Sequence, residues 1–287
     1  MTPSGATSTN PTMTSHITPF LEHIHACNQA TLPGQRAPFF WRDEQIGWVS
    51  PAIARELRSL KANTGNTLGI QDTNALRPLA LTLAQRGLYK LHHEDFDIRN
   101  KAGDIIGQID RGAIPILGLA AEGIHLNGLV ETNHGPHLWV ARRSMDKKLD
   151  PGKLDHLVAG GMSAGLTPST TVIKEAEEEA GIPPSLAQQA KPVSRIQYAM
   201  ERPEGLRRDV LHCYDLTLPE TFRPIPNDGE VESFHLLPLM EVFERVRSTH
   251  DFKFNVNLVL IDLFLRRGLF SPQDHTLIHN ALHPIAS

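Results

Sequence analysis

Apolar residues at Ile17, Phe20, Leu21 and Ile24 recur at i, i+3, i+4 and i+7, which predicts an amphipathic helix over Ile17–Cys27. Phe39–Val49 is aromatic and β-rich on both sides of a polar centre, as in a hairpin, and Ser50-Pro51 then starts a helix through Leu60. Lys61–Asp72, rich in Asn, Gly and Thr, reads as a loop, and Leu76–Arg86 as a helix ended by Gly87. His92-His93 reads as an adjacent pair pointing in opposite directions along a strand. From Ile116 the pattern changes to strands, Gly118–Val130 and Leu138–Arg142, parted by the turn Asn133-His134-Gly135-Pro136. A short buried strand, Leu157–Ala159, leads into the glycine-bearing segment Gly160–Gly165. Thr167-Pro168 has the chemistry of a helix start, and Gly181 with Pro183-Pro184 that of a stop. Further strands are expected at Arg195–Tyr198, Val210–Leu218 and Val231–Leu236, followed by an apolar helix over Phe252–Arg267 capped by Gly268. The expected division is a disordered tail over 1–15, an α+β domain over 16–110, a second domain over 111–270 and a C-terminal tail over 271–287.

Composition narrows the function. Twenty-eight Lys and Arg against 32 Asp and Glu leave a net charge of −4, so no broad positive field favours nucleic acid. Cys27 and Cys213 are far apart and outside any Cys-x-x-Cys spacing, which argues against a disulfide framework or zinc ribbon and suits a cytoplasmic protein. The apolar run Ala113–Ala121 stops at Glu122, well short of the roughly 20 residues of a spanning helix. Met1–Ser15 has no basic residue and no apolar core of a signal peptide.

Lys174–Gly181 carries the chemistry. At about 100° per residue, Glu178 and Glu179 fall roughly −60° and +40° from Glu175, whereas Glu177 lies on the far side. Val172, Ile173, Ala176 and Ala180 form a narrow apolar stripe beside those acids. Three like charges in one turn repel unless a cation sits among them, and oxygen-only ligands suit Mg²⁺ or Mn²⁺. By itself the run also fits a solvated acidic face with Lys174 as a local partner.

The flanking residues decide between these. Gly160, Glu175-Ala176, Glu178-Glu179 and Gly181-Ile182 resemble the box of the Nudix hydrolase superfamily. Leu166 and Lys174 stand where that box has a Glu and an Arg that pair to orient the acids, and lysine cannot reproduce a guanidinium fork. Gly123–Gly128, Leu138–Ser144, Lys147, Pro151-Gly152, Leu157–Gly161, Asp228–Phe234 and Phe252–Asn255 extend the likeness to the branch similar to the Nudix domain associated with thiamine pyrophosphokinase. That branch carries a preceding domain of unassigned function and a Lys-Glu box like Ile173–Ala180.

The resemblance implies an α+β protein: a Nudix α/β/α sandwich with a mixed sheet, preceded by a smaller α+β domain. It implies Glu175, Glu178 and Glu179 as ligands of Mg²⁺ or Mn²⁺, with Glu230, chosen over Glu232, as a further metal-binding or basic acid. The expected reaction is hydrolysis of a small-molecule diphosphate, thiamine-like or a damaged analogue, to the monophosphate and phosphate. ADP-ribose or another nucleoside diphosphate derivative is the alternative substrate, and a catalytically weak binding or regulatory module the alternative class. Arg142, Arg143 and Lys147 follow a strand toward the box and are candidates for the diphosphate, though basic residues at a strand end are commonly solvated. His125 and Asn127 share one strand face that could line a pocket for a heteroaromatic ring or be a polar outer face. The fifteen histidines are not expected to be metal ligands, and Trp41, Trp48 and Trp139 are expected to be packing residues.

Overall fold

The computed structural model describes residues 16–64 and 67–284, so the expected N-terminal tail lies outside the described residues. Helix α1 (Thr18–Cys27) follows the amphipathic stripe. Strands β1 (Ala37–Trp41) and β2 (Glu44–Val49) form the expected hairpin, and the Ser50 hydroxyl accepts the Ile53 N–H to open α2 (Pro51–Ser59). The loop expected over Lys61–Asp72 instead contains β3 (Asn63–Thr64) and β4 (Thr67–Ile70). β4 runs parallel to β1, and the sheet order is β2-β1-β4-β3. Gly69, which reads as loop punctuation, permits this pairing: a Cβ there would lie 2.1 Å from the Phe40 carbonyl oxygen. Helix α3 (Leu76–Gln85) precedes His92-His93, which is not on a strand. Both histidine N–H groups donate to the Asp110 carboxylate, and His93 has φ 60°. A second hairpin, β5 (Asp95–Arg99) and β6 (Ile105–Asp110), leads through α4 (Ile114–Leu117) into the larger sheet.

That sheet is built from β7 (Ala120–Thr132), β8 (Gly135–Arg143), β9 (Leu154–Asp155), β10 (Val158–Gly161), β11 (Lys191–Arg202), β12 (Gly205–Thr217) and β13 (Val231–Pro238). Its order is β11-β12-β7-β8-β13, with β12 and β7 parallel and the other pairs antiparallel. One edge of β7 is shared: its second half pairs with β8, and its first half with β10. This split delivers the Gly160-Gly161 end of β10 into the middle of the sheet. Helices α5 (Pro168–Ala180) and α6 (Pro184–Ala187) follow β10, and α7 (Leu239–Ser248), α8 (Val256–Arg266) and α9 (Pro272–Leu282) follow β13.

Alternation along β7 divides the sandwich into two faces. Ile124, Leu126 and Val130 pack with Val172, Ala176 and Ala180 of α5. Leu129 belongs to the opposite core, formed with α1, α7, α8 and α9. The packing therefore redraws the expected division. Phe20 and Ile24 of α1 are buried with the second unit's helices, whereas Ile114–Leu119 is buried with the first unit. The expected C-terminal tail contains α9, whose Ile278 and Leu282 enter the same core as α1. The apolar helix is also shorter than its pattern, because Phe252 and Lys253 engage Leu154 of β9 instead.

Candidate active site

The acid-bearing helix is defined at both ends by local chemistry. Thr167 and Thr170 cap each other reciprocally, Pro168 occupies the first turn, and Gly181 ends the helix with φ 62°. The burial of Val172, Ala176 and Ala180 against β7 and β10 leaves Glu175 and Glu178 on the expected face. Glu179 is turned toward the sheet.

The three glutamates meet different surroundings. Glu175 lies against Gly160, where a Cβ would fall 2.6 Å from its Oε2. Glu179 is 7% exposed, and its Oε2 accepts the Ala159 N–H at 3.0 Å. Glu178 is solvent-facing, and Lys174 Nζ donates to it at 2.7 Å and to Glu175 at 2.9 Å. Burial raises the Glu175 carboxyl, against the opposing pull of Lys174, and raises that of Glu179 well above the usual carboxylate range. Partial burial alone would lower Lys174, but the hydrogen bonds its ammonium donates to Glu178 and Glu175 outweigh it and hold it above its ordinary value.

Glu230 arrives from the loop before β13 and comes together with Glu179. Asp228 joins them, with one oxygen from each of the three inside a 4.8 Å span. Asp228 opens the resembling stretch Asp228–Phe234 but was not among the candidate site residues read from the sequence. The signal was its place two residues before Glu230, across Gly229, which has φ 77° and lets the Glu230 N–H donate back to Asp228 at 2.8 Å. Lys147 forms an ion pair with Glu230 and so stands at the acid cluster. A cluster of oxygen donors, one of them buried and disfavoured as a lone anion, is the donor chemistry of a hard divalent cation. The residues fit Mg²⁺ or Mn²⁺.

The other expected binding residues are occupied elsewhere. Arg142 donates to the Gly152 carbonyl at 2.9 Å. Arg143 is buried, with its fork spent on Asp155 Oδ2 at 2.7 Å and on the carbonyls of Leu149 and Asp150, so it is a structural cation and not a free diphosphate ligand. His125 and Asn127 do share a face of β7, but it is the buried one opposite α5. His125 Nδ1 meets His156 Nδ1 at 2.9 Å, and Asn127 donates to Asp215, which pairs with Arg266 of α8. The expected ring pocket is filled by the protein's own side chains. His125, Asp155 and His156 cluster closely enough to suggest a second metal site, but Asp155 already faces Arg143 and Lys253, whose charges oppose a further cation. His275 and His279 of α9 and His283, its C-cap, follow one another at four-residue intervals, a spacing without meaning while the segment reads as a tail.

A mixed sheet carrying an acidic helix on a Gly-Gly strand end defines the Nudix architecture. Residues 126–255 match the model of the NUDIX domain family. Over 279 residues the chain is 35% identical to Nudix hydrolase 24, chloroplastic, of Arabidopsis thaliana, covering 92% of this chain and 76% of that protein. It is 33% identical over 282 residues to Nudix hydrolase 20, chloroplastic, of the same plant, covering 90% and 75%. A Deinococcus radiodurans crystal structure aligns with a TM-score of 0.46 at 22% identity, over 58% of this chain and 97% of that one. The chain belongs to the Nudix hydrolase family and is a hydrolase.

Proposed function

We propose that the protein hydrolyses a small-molecule diphosphate of the thiamine type to the monophosphate and phosphate. The observation that carries the diphosphate part is the convergence of Glu179, Asp228 and Glu230 beside Glu175 and Glu178. These five acids would hold Mg²⁺ or Mn²⁺, which when bound offsets the negative charge of the two phosphates and eases departure of the leaving group. Water forms the new P–O bond as the bridging P–O bond breaks. A carboxylate, Glu230 or Glu175, accepts the water proton, which is then available to the departing phosphate. Lys147, at the acid cluster, supplies a mobile cation for the substrate's phosphates once released from Glu230.

The thiamine part is supported by the sequence resemblance running from Gly123 to Asn255. The test is a screen of thiamine diphosphate, its oxo and oxy analogues, ADP-ribose and sugar nucleotides with Mg²⁺, with products identified by mass. The expected result is at least about tenfold higher kcat/KM on a thiamine-type diphosphate than on ADP-ribose, about 1.4 kcal/mol. Equal or better turnover of ADP-ribose refutes the substrate and leaves the diphosphatase standing, whereas no turnover of any diphosphate refutes both.

A further inference from the structure

The segment between β10 and α5 is held from outside its own domain. The Ala164 N–H donates to the Asp95 carbonyl at 2.7 Å, and the Gly165 N–H donates to Asp97 Oδ2 at 2.9 Å. The Ser163 hydroxyl donates to Glu94 Oε1 at 3.0 Å, and Phe96 forms an isolated bridge with Ser163. All four partners lie on or beside β5 of the first unit. The three acids among them are themselves braced: Glu94 by Arg111 at 2.7 Å, Asp95 by Arg77 at 2.8 Å, and Asp97 by the Gln108 amide at 3.0 Å.

β10, which runs directly into this segment, meets two of the candidate catalytic acids. Ala159 donates to Glu179, and Gly160 lies against Glu175. On the next residue, a Cβ at Gly161 would stand 2.4 Å from Cζ of the buried Phe96 ring. Two glycines are therefore all that separates Glu175 from the hairpin, and a shift of the hairpin side is transmitted to the acid side.

We propose that the β5–β6 hairpin is the positioning element of the hydrolytic site, with Asp97 and Glu94 as positioning residues that fix Gly160–Gly165 and, through it, Glu175 and Glu179. This gives the first unit a role in catalysis, and it rests on the reading of those acids as the catalytic cluster. Asp97 touches no reacting atom. It acts through one backbone N–H.

The test compares Asp97→Ala with Asp97→Asn in the full-length chain. Asparagine retains an oxygen for the Gly165 N–H, and the Gln108 amide can turn to accept from the new amide. Asp97→Ala should lower kcat by about tenfold or more with KM within about threefold, because small misplacements of a catalytic group are costly. It should also weaken Mn²⁺ binding, measured by calorimetry without substrate, and speed hydrogen exchange over residues 161–166 with the melting temperature nearly unchanged. Asp97→Asn should recover all three readouts. Wild-type exchange and wild-type kcat in Asp97→Ala would overturn the proposal, as would equal losses in both variants in step with their melting temperatures. Should Asp97→Ala not fold, Ser163→Ala removes only the Glu94 link, and unchanged exchange over 161–166 in that variant counts equally against the proposal. If the wild type hydrolyses no diphosphate, the catalytic reading fails by itself, and the exchange and Mn²⁺ measurements still decide the positioning.

Discussion

Gly160→Ala is a sharp test of the site because the structure states what the added methyl meets. Its Cβ would lie 2.6, 2.7 and 2.8 Å from Oε2, Cδ and Cγ of Glu175, and the backbone at residue 160 is not in the left-handed region, so alanine fits the chain itself. The obstacle is the far end of a flexible side chain, which can swing away at little cost in folding. To open the contact from 2.6 Å to the 3.4 Å of ordinary van der Waals approach, the carboxylate must move by nearly 1 Å. A displacement of that size at a catalytic group costs about a hundredfold, or about 2.7 kcal/mol of transition-state stabilisation. The substitution should therefore lower kcat/KM by about two orders of magnitude while the urea midpoint changes by the small amount typical of an unstrained substitution. Gly161→Ala is the contrasting control. Its methyl meets the Phe96 ring at 2.4 Å inside a packed core, so stability should fall together with activity. Gly160→Ala with wild-type kcat/KM would refute the placement of Glu175 in the working site.

Glu179→Gln keeps an acceptor for the Ala159 N–H but removes the charge, and should cost at least about a hundredfold in kcat, near 3 kcal/mol, with little loss of folding. Unimpaired turnover by this variant, or by wild type in excess chelator, would count against a metal cluster. Asp228→Asn should reduce Mn²⁺ affinity measured calorimetrically, and unaltered affinity would remove Asp228 from the set. Arg143→Ala leaves the buried Asp155 with Lys253 as its remaining cation and should destabilise the fold in urea titrations, by less than the about 3–5 kcal/mol of a fully stranded charge, whereas a dominant rise in KM at wild-type stability would restore Arg143 as a substrate ligand. The pH dependence of stability follows from the same pair. Burial would raise the Asp155 carboxyl, but Lys253, His125, Arg143 and His156 outweigh it and hold it below the ordinary 3.8. Because the folded value is depressed, its contribution is complete above the unfolded pKa and is lost as pH falls through the folded one. Urea midpoints below pH 5 should consequently fall more steeply in wild type than in Asp155→Asn, and parallel curves would refute this.

The acidic helix was legible in the sequence because its determinants lie within a few turns of one another. Thr167-Pro168, Gly181, the apolar stripe and the one-face spacing of Glu175, Glu178 and Glu179 need only helical periodicity and capping. The same holds for the β1–β2 hairpin and the β7–β8 turn. Alternation also placed His125 and Asn127 on one face of β7, but it could not say which face. Only the covering helices decided that, since α1, α8 and α9 close one side with residues from both ends of the chain. The convergence of Glu179 with Asp228 and Glu230 has the same origin, because it depends on how the loop before β13 returns to the sheet. The parallel pairings β1–β4 and β7–β12 and the grip of Glu94–Asp97 on the Gly160–Gly165 segment likewise join residues distant in sequence. Capping and periodicity act over a few residues and leave a local trace, whereas strand partners and buried faces are chosen by which distant surfaces exclude water together.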